Sequence, residues 1–173
     1  MALGKDYTGQ NCALARALEL VGERWTMLIL RDAFYGVRRY SDFRSHVRAP
    51  RAVLADRLQT LTEAGVLDRR QYQQAPPRHE YVLTEAGERL WPTVFTLMRW
   101  GEEFIPLESG VRRVFLHADC DAALDGVGRC TECGELVSPR QVEMRPGPGA
   151  ERDGDPVGRA LLEPHRLLTP IAS

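Results

Sequence analysis

The chain has 173 residues, of which 43% are hydrophobic and 27% charged, and its formal net charge is −1. This length suits one domain with an appendage or two small domains, and the composition is that of a soluble globular protein that can bury a core. No apolar run approaches the roughly 20 residues that a membrane helix needs, and residues 1–10 lack the apolar core of a signal peptide. We therefore expect a cytoplasmic protein with no membrane partner.

Two helices are predicted near the start of the chain, after a flexible arm at residues 1–11. The first, at about 12–21, has one apolar face, and the second, at about 24–34, is rich in Trp25 and aliphatic residues. Gly36 ends the second helix.

A pair of short amphipathic helices follows. In the first, Tyr40, Phe43 and Val47 recur at helical spacing, and Ser41 is expected to cap the first free amides. Proline at position 50 ends this helix in a tight basic turn, because it biases the preceding residue away from the α region.

The second helix of the pair carries Leu54, Leu58 and Leu61 as one apolar stripe that must be buried, and Gly65 is a plausible left-handed stop. Residues 66–72 and 79–83 then read as two strands around a proline-containing tip. Two helices, a tight turn and a β-hairpin predict a winged helix-turn-helix, although the helix pair alone would suit any helical bundle.

The charge of this region points to double-stranded DNA. Between Val37 and Arg78 nine arginines stand against four acids, a local balance of +5 in a chain whose net charge is −1. Opposite the leucine stripe, small residues would let the second helix enter a major groove, whereas phosphates would be held by arginines of the turn and wing. The residues predicted to face base edges are Arg51, Ala52, Ala55, Asp56 and Gln59. The residues predicted to face phosphates or a minor groove are Arg39, Arg44, Arg48 and Arg78, with Ser41 beside them, whereas Arg57 is expected to be a structural ion-pair partner.

After the hairpin, Thr84 is a plausible N-cap for a long helix over 85–104. Its apolar residues cover more of its circumference than one domain can bury, which favours a homodimer interface built together with the first helix. Dimerisation would also place two recognition helices about one DNA turn apart. The alternative is a helix wedged into its own core.

A Cys/His cluster lies in the C-terminal third of the chain. His117 and Cys120 form one pair, and Cys130 and Cys133 form the second. This spacing predicts a tetrahedral site for a structural Zn²⁺. The alternatives are a redox pair at Cys130 and Cys133 or unrelated surface thiols, whereas a disulfide is disfavoured in a cytoplasmic protein.

The rest of the chain divides into an appendage at 107–145 and a glycine- and proline-rich tail at 146–173 that we expect to be flexible. The fold class is therefore α+β and mainly α: a winged helix-turn-helix with a long dimerisation helix and a small appendage containing the Cys/His cluster.

Four segments carry a family resemblance: GERWTMLIL from Gly22, RYSDF from Arg39, VLADRLQTLTEAGVL from Val53 and PPRHEYVLT from Pro76. Together they resemble the HxlR-type winged helix-turn-helix transcriptional regulators over about residues 12–104, and the corresponding DNA-binding and dimerisation domain is expected at 12–106. The last segment is the most diagnostic, because it joins a wing tip to a strand and a helix cap. The resemblance implies a dimer that binds palindromic or repeated operators and is not an enzyme.

Family members commonly have a Cys-Pro pair at the start of the first helix, and some use that cysteine to sense quinones, electrophiles or oxidants. Here Ala13 follows Cys12. A thiolate at this helix end would be stabilised by free amides, so Cys12 is a redox candidate. A packed, inert thiol is the expected alternative.

Regulation by a small ligand is the other possibility, and it would need a pocket near the dimer helices. Trp25, Trp91, Phe95 and Trp100 are candidate walls, although a packed aromatic core is the simpler role for them. A winged helix used only for protein interaction is the alternative function, and an enzyme is disfavoured because no nucleophile and base are placed together.

Overall fold

The computed structural model describes residue 7, residues 9–151 and residues 154–171. The expected arm at 1–11 lies largely outside the described residues. The elements in chain order are α1 (Ala13–Val21), α2 (Thr26–Phe34), α3 (Tyr40–Val47), α4 (Arg51–Glu63), β1 (Leu67–Gln73), β2 (Arg78–Leu83), α5 (Glu85–Glu88), α6 (Trp91–Phe104), β3 (Arg113–His117), β4 (Ala122–Ala123), a 3₁₀ turn (Pro139–Gln141), β5 (Val142–Pro146), α7 (Pro156–Ala160) and β6 (His165–Arg166). The mixed class and the winged helix-turn-helix predicted from the sequence are confirmed.

Helix α4 is held by its leucine stripe. Leu54, Leu58 and Leu61 are fully buried, and each such side chain contributes about 1.5–3 kcal/mol relative to an exposed position. The helix ends as expected at Gly65, which has a φ of 70°. The amide of Gly65 donates to the Thr62 carbonyl and that of Val66 donates to the Leu61 carbonyl, the two bonds of a Schellman motif.

The wing is an antiparallel hairpin of β1 and β2, with Leu67 opposite Leu83 at its base. It is tied to the helices because the amide of Tyr81 donates to the Arg38 carbonyl at 2.8 Å, next to a bridge between Arg39 and Glu80. Strand β1 begins one residue later than predicted, since Val66 is used in the Schellman turn.

The helix expected over 85–104 is divided into α5 and α6. Thr84 caps α5 as predicted, its hydroxyl accepting from the Gly87 amide at 3.2 Å. Pro92 stands in the first turn of α6. It has no amide to donate to the Glu88 carbonyl, and its ring would crowd that carbonyl in a continuous helix, so the chain bends between the two segments.

The prediction that Ser41 caps the first helix of the pair is wrong. Helix α3 has Arg39 at its N-cap position and no side-chain capping bond. Ser41 lies one residue inside the helix and its hydroxyl donates to the Asp42 carboxylate at 3.2 Å.

The C-terminal part is a four-stranded antiparallel sheet in the order β4-β3-β5-β6. An aromatic cluster joins this sheet to the winged helix. Phe34 of α2, Trp91 and Phe95 of α6 and Phe115 of β3 pack with ring centroids between 5.2 and 5.8 Å apart. The winged helix and the sheet therefore share one hydrophobic core.

Residues 154–171 are packed on the rest of the protein, which contradicts the expected flexible tail. Val157 and Leu161 are fully buried, and helix α7 packs against α3. Strand β6 pairs with β5, so the boundary placed at residue 145 divides a sheet whose strands lie on both sides of it. Burial of Val157, Leu161 and Leu167 and the pairing of β6 with β5 contribute against the entropy cost of ordering this segment. The glycine and proline content of the segment did not reveal these contacts.

The end of the described chain packs against the end of α2 and the following Gly36. The amide of Leu168 donates to the Phe34 carbonyl at 2.8 Å, and that of Ile171 donates to the Gly36 carbonyl at 3.1 Å. Gly36 has a φ of 88°, and a Cβ there would overlap the Thr169 carbonyl. A glycine is therefore needed where the two backbones meet. No helix within the described ranges is long and apolar enough to cross a membrane.

Candidate nucleic-acid interface and cysteine cluster

The outer face of α4 presents small and polar side chains to solvent. Exposed along it are all five residues predicted to face base edges, Arg51, Ala52, Ala55, Asp56 and Gln59. The opposite face is fixed in the core by the leucine stripe. The helix therefore projects a rigid face without large apolar side chains, which suits insertion into a groove.

The residues predicted to face phosphates lie around this helix, and all of them are exposed: Arg39, Ser41, Arg44, Arg48 and Arg78. Arg48 forms the turn with a left-handed backbone, at a φ of 59°. The hydroxyl of Tyr40 closes the same turn by donating to the Arg51 carbonyl at 3.2 Å. Arg39 lies 5.2 Å from the ring centre of Tyr72 in the wing, a cation–π contact that links turn and wing.

Two polar residues on the outer face of α4, Asp56 and Gln59, already have hydrogen-bond partners on the same helix. Arg57 donates from Nε to the Asp56 carboxylate at 3.0 Å and also pairs with it through a terminal nitrogen. This is the structural role expected for Arg57, but it engages the Asp56 carboxylate that was predicted to read bases. Gln59 donates to Glu63 at 2.8 Å.

The sequence reasoning missed a buried polar group that fixes α3 against α2. Asp32 is fully buried; it accepts from Arg31 at 2.8 Å and lies 2.7 Å from Nδ1 of His46. Burial lowers the pKa of Arg31, but Asp32 and Tyr35 together raise it, and the net effect holds the pKa of Arg31 above its usual value. The signal available in the sequence was an acid inside the apolar run of α2.

An apolar surface is left uncovered on α1 and α6. Leu14 of α1 is 66% exposed, and on α6 the stripe of Leu97, Trp100 and Phe104 is 52–62% exposed. The opposite side of α6 buries Trp91, Val94 and Phe95 in the aromatic core. Helix α6 is thus apolar on both sides, as the sequence predicted.

The four predicted metal ligands come together as one group. The ligand atoms of His117, Cys120, Cys130 and Cys133 all lie within 4.8 Å of one another. The end of β3 supplies His117 and the turn after it supplies Cys120. The other pair lies on a tight turn in which the Gly134 amide donates to the Cys130 carbonyl at 2.9 Å. A tetrahedron with bonds of about 2.3 Å has edges of about 3.8 Å, so small side-chain shifts would close this group around one ion.

The electrostatics of the cysteine cluster fit a cation. Backbone amides, that of Cys133 first, donate to the Cys130 sulfur and lower the pKa of Cys130 to about 6. A hydrogen bond with Cys133 raises the pKa of Cys120 to about 12. Nδ1 of His117 lies 3.5 Å from the Cys133 sulfur. Its buried Nε2 has no hydrogen-bond partner among the described residues, and the Asp119 carboxylate lies 3.6 Å from it. Carboxylates commonly orient metal-binding histidines from this side.

The expected packing of Cys12 is wrong. Cys12 occupies the N-cap position of α1 and is exposed. A thiol is buried only where other parts of the chain pack over it, and in α1, within the described chain, Ala15 is the one buried residue. The Cys12 sulfur is therefore accessible to a solute.

Comparison with protein families gives a match to the HxlR-like helix-turn-helix family over residues 20–109. The HTH-type transcriptional regulator Rv3095 of Mycobacterium tuberculosis is 47% identical over 147 residues, which cover 85% of this chain and 92% of the relative. The HTH-type transcriptional regulator YdeP of Bacillus subtilis is 32% identical over 106 residues, 59% of this chain and 83% of the relative.

Solved structures are similar as well. The crystal structure of PA1607, a proposed transcription factor, covers 76% of this chain and 92% of its own with a TM-score of 0.61 and 32% identity. The redox regulator HypR in its oxidized form covers 53% of this chain and 96% of its own, with a TM-score of 0.51 and 31% identity.

Proposed function

This chain belongs to the HxlR-like helix-turn-helix family of transcriptional regulators, and we propose that it acts as a homodimer that binds a specific operator in double-stranded DNA. The observation that carries the proposal is the outer face of α4, where Ala52 and Ala55 are exposed beside Arg51. Small residues permit close approach to base edges, and Arg51 can donate two hydrogen bonds to a guanine.

The remaining exposed arginines support the same proposal by their position. Arg44 and Arg48 lie on the first helix of the pair and the turn, and Arg78 stands at the wing. Contacts with phosphates set the register of the protein on the duplex, whereas α4 would read the sequence. A winged helix used only to bind proteins would present large apolar residues on α4, and that face has none among its exposed positions.

Substitution of Arg78 by alanine tests the role of the wing. Loss of one phosphate contact should weaken operator binding about tenfold, or about 1.4 kcal/mol, and should reduce the slope of log K against log salt by about 1. Fluorescence anisotropy over a salt series measures both. Arg89→Ala is the control, because Arg89 is an exposed arginine that pairs with Glu85 on α5, outside the wing. Equal binding by the two variants would contradict contact between the wing and DNA.

The proposed dimer rests on the uncovered apolar surface. The α6 stripe and Leu14 of α1 are the large apolar side chains that a second copy would cover. Contiguous apolar patches of this kind mark interaction sites in soluble proteins. A two-fold arrangement through α6 would supply two copies of α4 to one operator.

Trp100→Glu should convert the dimer into a monomer, because a charge at the centre of the apolar stripe would be buried without a partner. Sedimentation velocity at micromolar concentration measures the change. Tyr72→Glu serves as the control, since Tyr72 is 41% exposed and lies on strand β1 of the wing. A monomeric wild-type chain, or a dimeric Trp100→Glu variant, would refute this interface.

We also propose that the cysteine cluster holds a structural Zn²⁺ through His117, Cys120, Cys130 and Cys133. The ion would cross-link the turn after β3 to the turn at Cys130 and stabilise the sheet. Backbone amides lower the pKa of Cys130, which favours the thiolate form that zinc binds, and the buried His117 completes a Cys₃His donor set of the kind that zinc prefers. An isolated β-bridge between Leu124 and Cys130 also ties the turn at Cys130 to the segment that follows β4.

Metal analysis tests the zinc proposal. Protein purified from zinc-supplemented medium should contain about one Zn²⁺ per chain by mass spectrometry, and Cys133→Ser should lower the content at least severalfold. Cys12→Ser, which removes a cysteine outside the cluster, should leave the zinc content unchanged. A wild-type chain that carries no zinc would exclude the site.

A second candidate function is regulation through Cys12, favoured by the exposure of that thiol at the start of α1. The structural similarity to the redox regulator HypR is consistent with it. Because α1 belongs to the proposed dimer surface, modification of Cys12 would alter the spacing of the two DNA-binding halves.

Oxidised glutathione, which exchanges with a single thiol to form a mixed disulfide and releases one reduced glutathione, should lower the operator affinity of the wild type and of Cys133→Ser but leave Cys12→Ser unaffected. Anisotropy measured before and after addition of a reductant reports the effect and its reversal. Retained sensitivity in Cys12→Ser would assign the response to other thiols and refute the role of Cys12.

A further inference from the structure

A cavity of about 410 Å³ lies between the winged helix and the C-terminal sheet. Its walls come from α2, α6, the segment that follows α6 and strand β3, and His46 of α3 also lines it. This volume falls within the range of small-molecule sites, roughly 300–1,000 Å³. The four aromatic residues expected to wall a ligand pocket are elsewhere: Trp25, Trp91, Phe95 and Trp100 do not line this cavity.

Most of the wall is apolar. Leu28 and the ring of Tyr35 stand on one side, Met98 on another, and Phe115 and Val111 close the side of the sheet. Phe115 belongs to the aromatic core, so the floor of the cavity is rigid. Burial raises the pKa of Tyr35, whose hydroxyl therefore stays protonated and donates to the Met98 sulfur at 3.7 Å. A ligand of these dimensions would bury an apolar body here.

The charged residues of the lining are mainly cationic. Arg31, Arg112 and Arg113 line the cavity against a single carboxylate, Glu102, which gives a formal charge of +2 for the lining. Two of these groups also have partners of opposite charge outside the lining: Arg31 pairs with Asp32, and Glu102 pairs with Arg99. In a mostly apolar site, guanidinium groups favour a carboxylate, which they can bind through two parallel hydrogen bonds.

We propose that this cavity binds a small amphipathic carboxylate: an apolar, ring-sized body seated among Leu28, Met98 and Phe115, with one carboxylate turned toward the arginines. The combination of an apolar wall and a few convergent cationic groups is the usual composition of such sites. Whether the cavity binds this carboxylate does not depend on whether the protein binds DNA. Only the use of the ligand as an effector rests on the proposed function.

The cavity lies beside two elements of the proposed regulator, the helix-turn-helix and helix α6. Arg31 forms an ion pair with the Asp32 carboxylate, and the same carboxylate contacts His46 on α3. Gly101 lies on α6 between Trp100 and Glu102, next to the exposed apolar stripe. A bound carboxylate would therefore touch the support of the helix-turn-helix and the proposed dimer helix at once.

Calorimetric titration with 2-naphthoate and with uncharged 2-naphthamide tests the site on the full chain without DNA. The two probes share one ring system and differ in charge, so the carboxylate should bind at least tenfold more tightly. Val111→Trp, which places an indole in the cavity, should weaken naphthoate binding at least tenfold. Val127→Trp is the matched control, because Val127 is exposed outside the cavity, and should bind as the wild type does.

Gly101→Leu provides a second variant in case Val111→Trp does not fold. A Cβ at Gly101 meets no heavy atom within 4 Å, and Gly101 lies within a helix, where leucine is favoured over glycine. This variant should also lose naphthoate binding. Equal affinity for the two probes would overturn the assignment of a carboxylate site, and unchanged naphthoate binding by both folded variants would overturn its location. An absence of binding by the wild type, with dimerisation lost in Val111→Trp, would mean that a second copy of the chain fills the cavity instead.

Discussion

The aromatic cluster between α6 and strand β3 is the contact on which the rest of the molecule depends. Phe115 packs edge to face on Phe95 at a centroid distance of 5.5 Å, and on Trp91 at 5.8 Å. Aromatic pairs in this arrangement contribute about 0.5–1.5 kcal/mol beyond their buried area. They join the winged helix to the C-terminal sheet in one core, so the sheet is part of the regulator and not a separate appendage. The last residues of the described chain add to this connection, because they form backbone hydrogen bonds at the end of α2.

Helix α6 contributes to two apolar surfaces because both of its sides are apolar. Its inner side supplies Trp91 and Phe95 to the aromatic cluster, and its outer side carries the uncovered stripe around Trp100. Any displacement of α6 would therefore be felt by the core, by the proposed dimer surface and by the cavity beside Gly101. The buried Asp32 network provides a parallel connection, since it ties the cavity residue Arg31 to His46 on the first helix of the DNA-binding pair. These contacts provide a physical route from the sheet to the proposed DNA surface.

The parts predicted well from the sequence are those governed by short-range spacing. The leucine stripe of α4, the left-handed stop at Gly65, the cap at Thr84 and the hairpin all follow from rules that act over a few residues, and the structure confirms them. The cysteine group was also anticipated, because two closely spaced ligand pairs need only a turn to meet. Two errors were local: the cap assigned to Ser41, where the helix begins one residue earlier, and the undivided helix across Pro92. The other two, the packed state of Cys12 and the flexibility of the tail, arose where contacts with distant parts of the chain decided.

The sequence by itself determined the DNA-binding half: its periodicity, its turn and its arginines specify two helices and a wing whose exposed face suits a duplex. Tertiary structure alone decided what happens to the other half. Val157 and Leu161 look unremarkable in a glycine- and proline-rich stretch, yet both are fully buried against the winged helix. The cavity likewise exists only because α2, α6 and β3 converge from distant parts of the chain. Local patterns encode which face of an element is apolar, but the partner that covers that face is chosen by long-range packing, which no short-range pattern records.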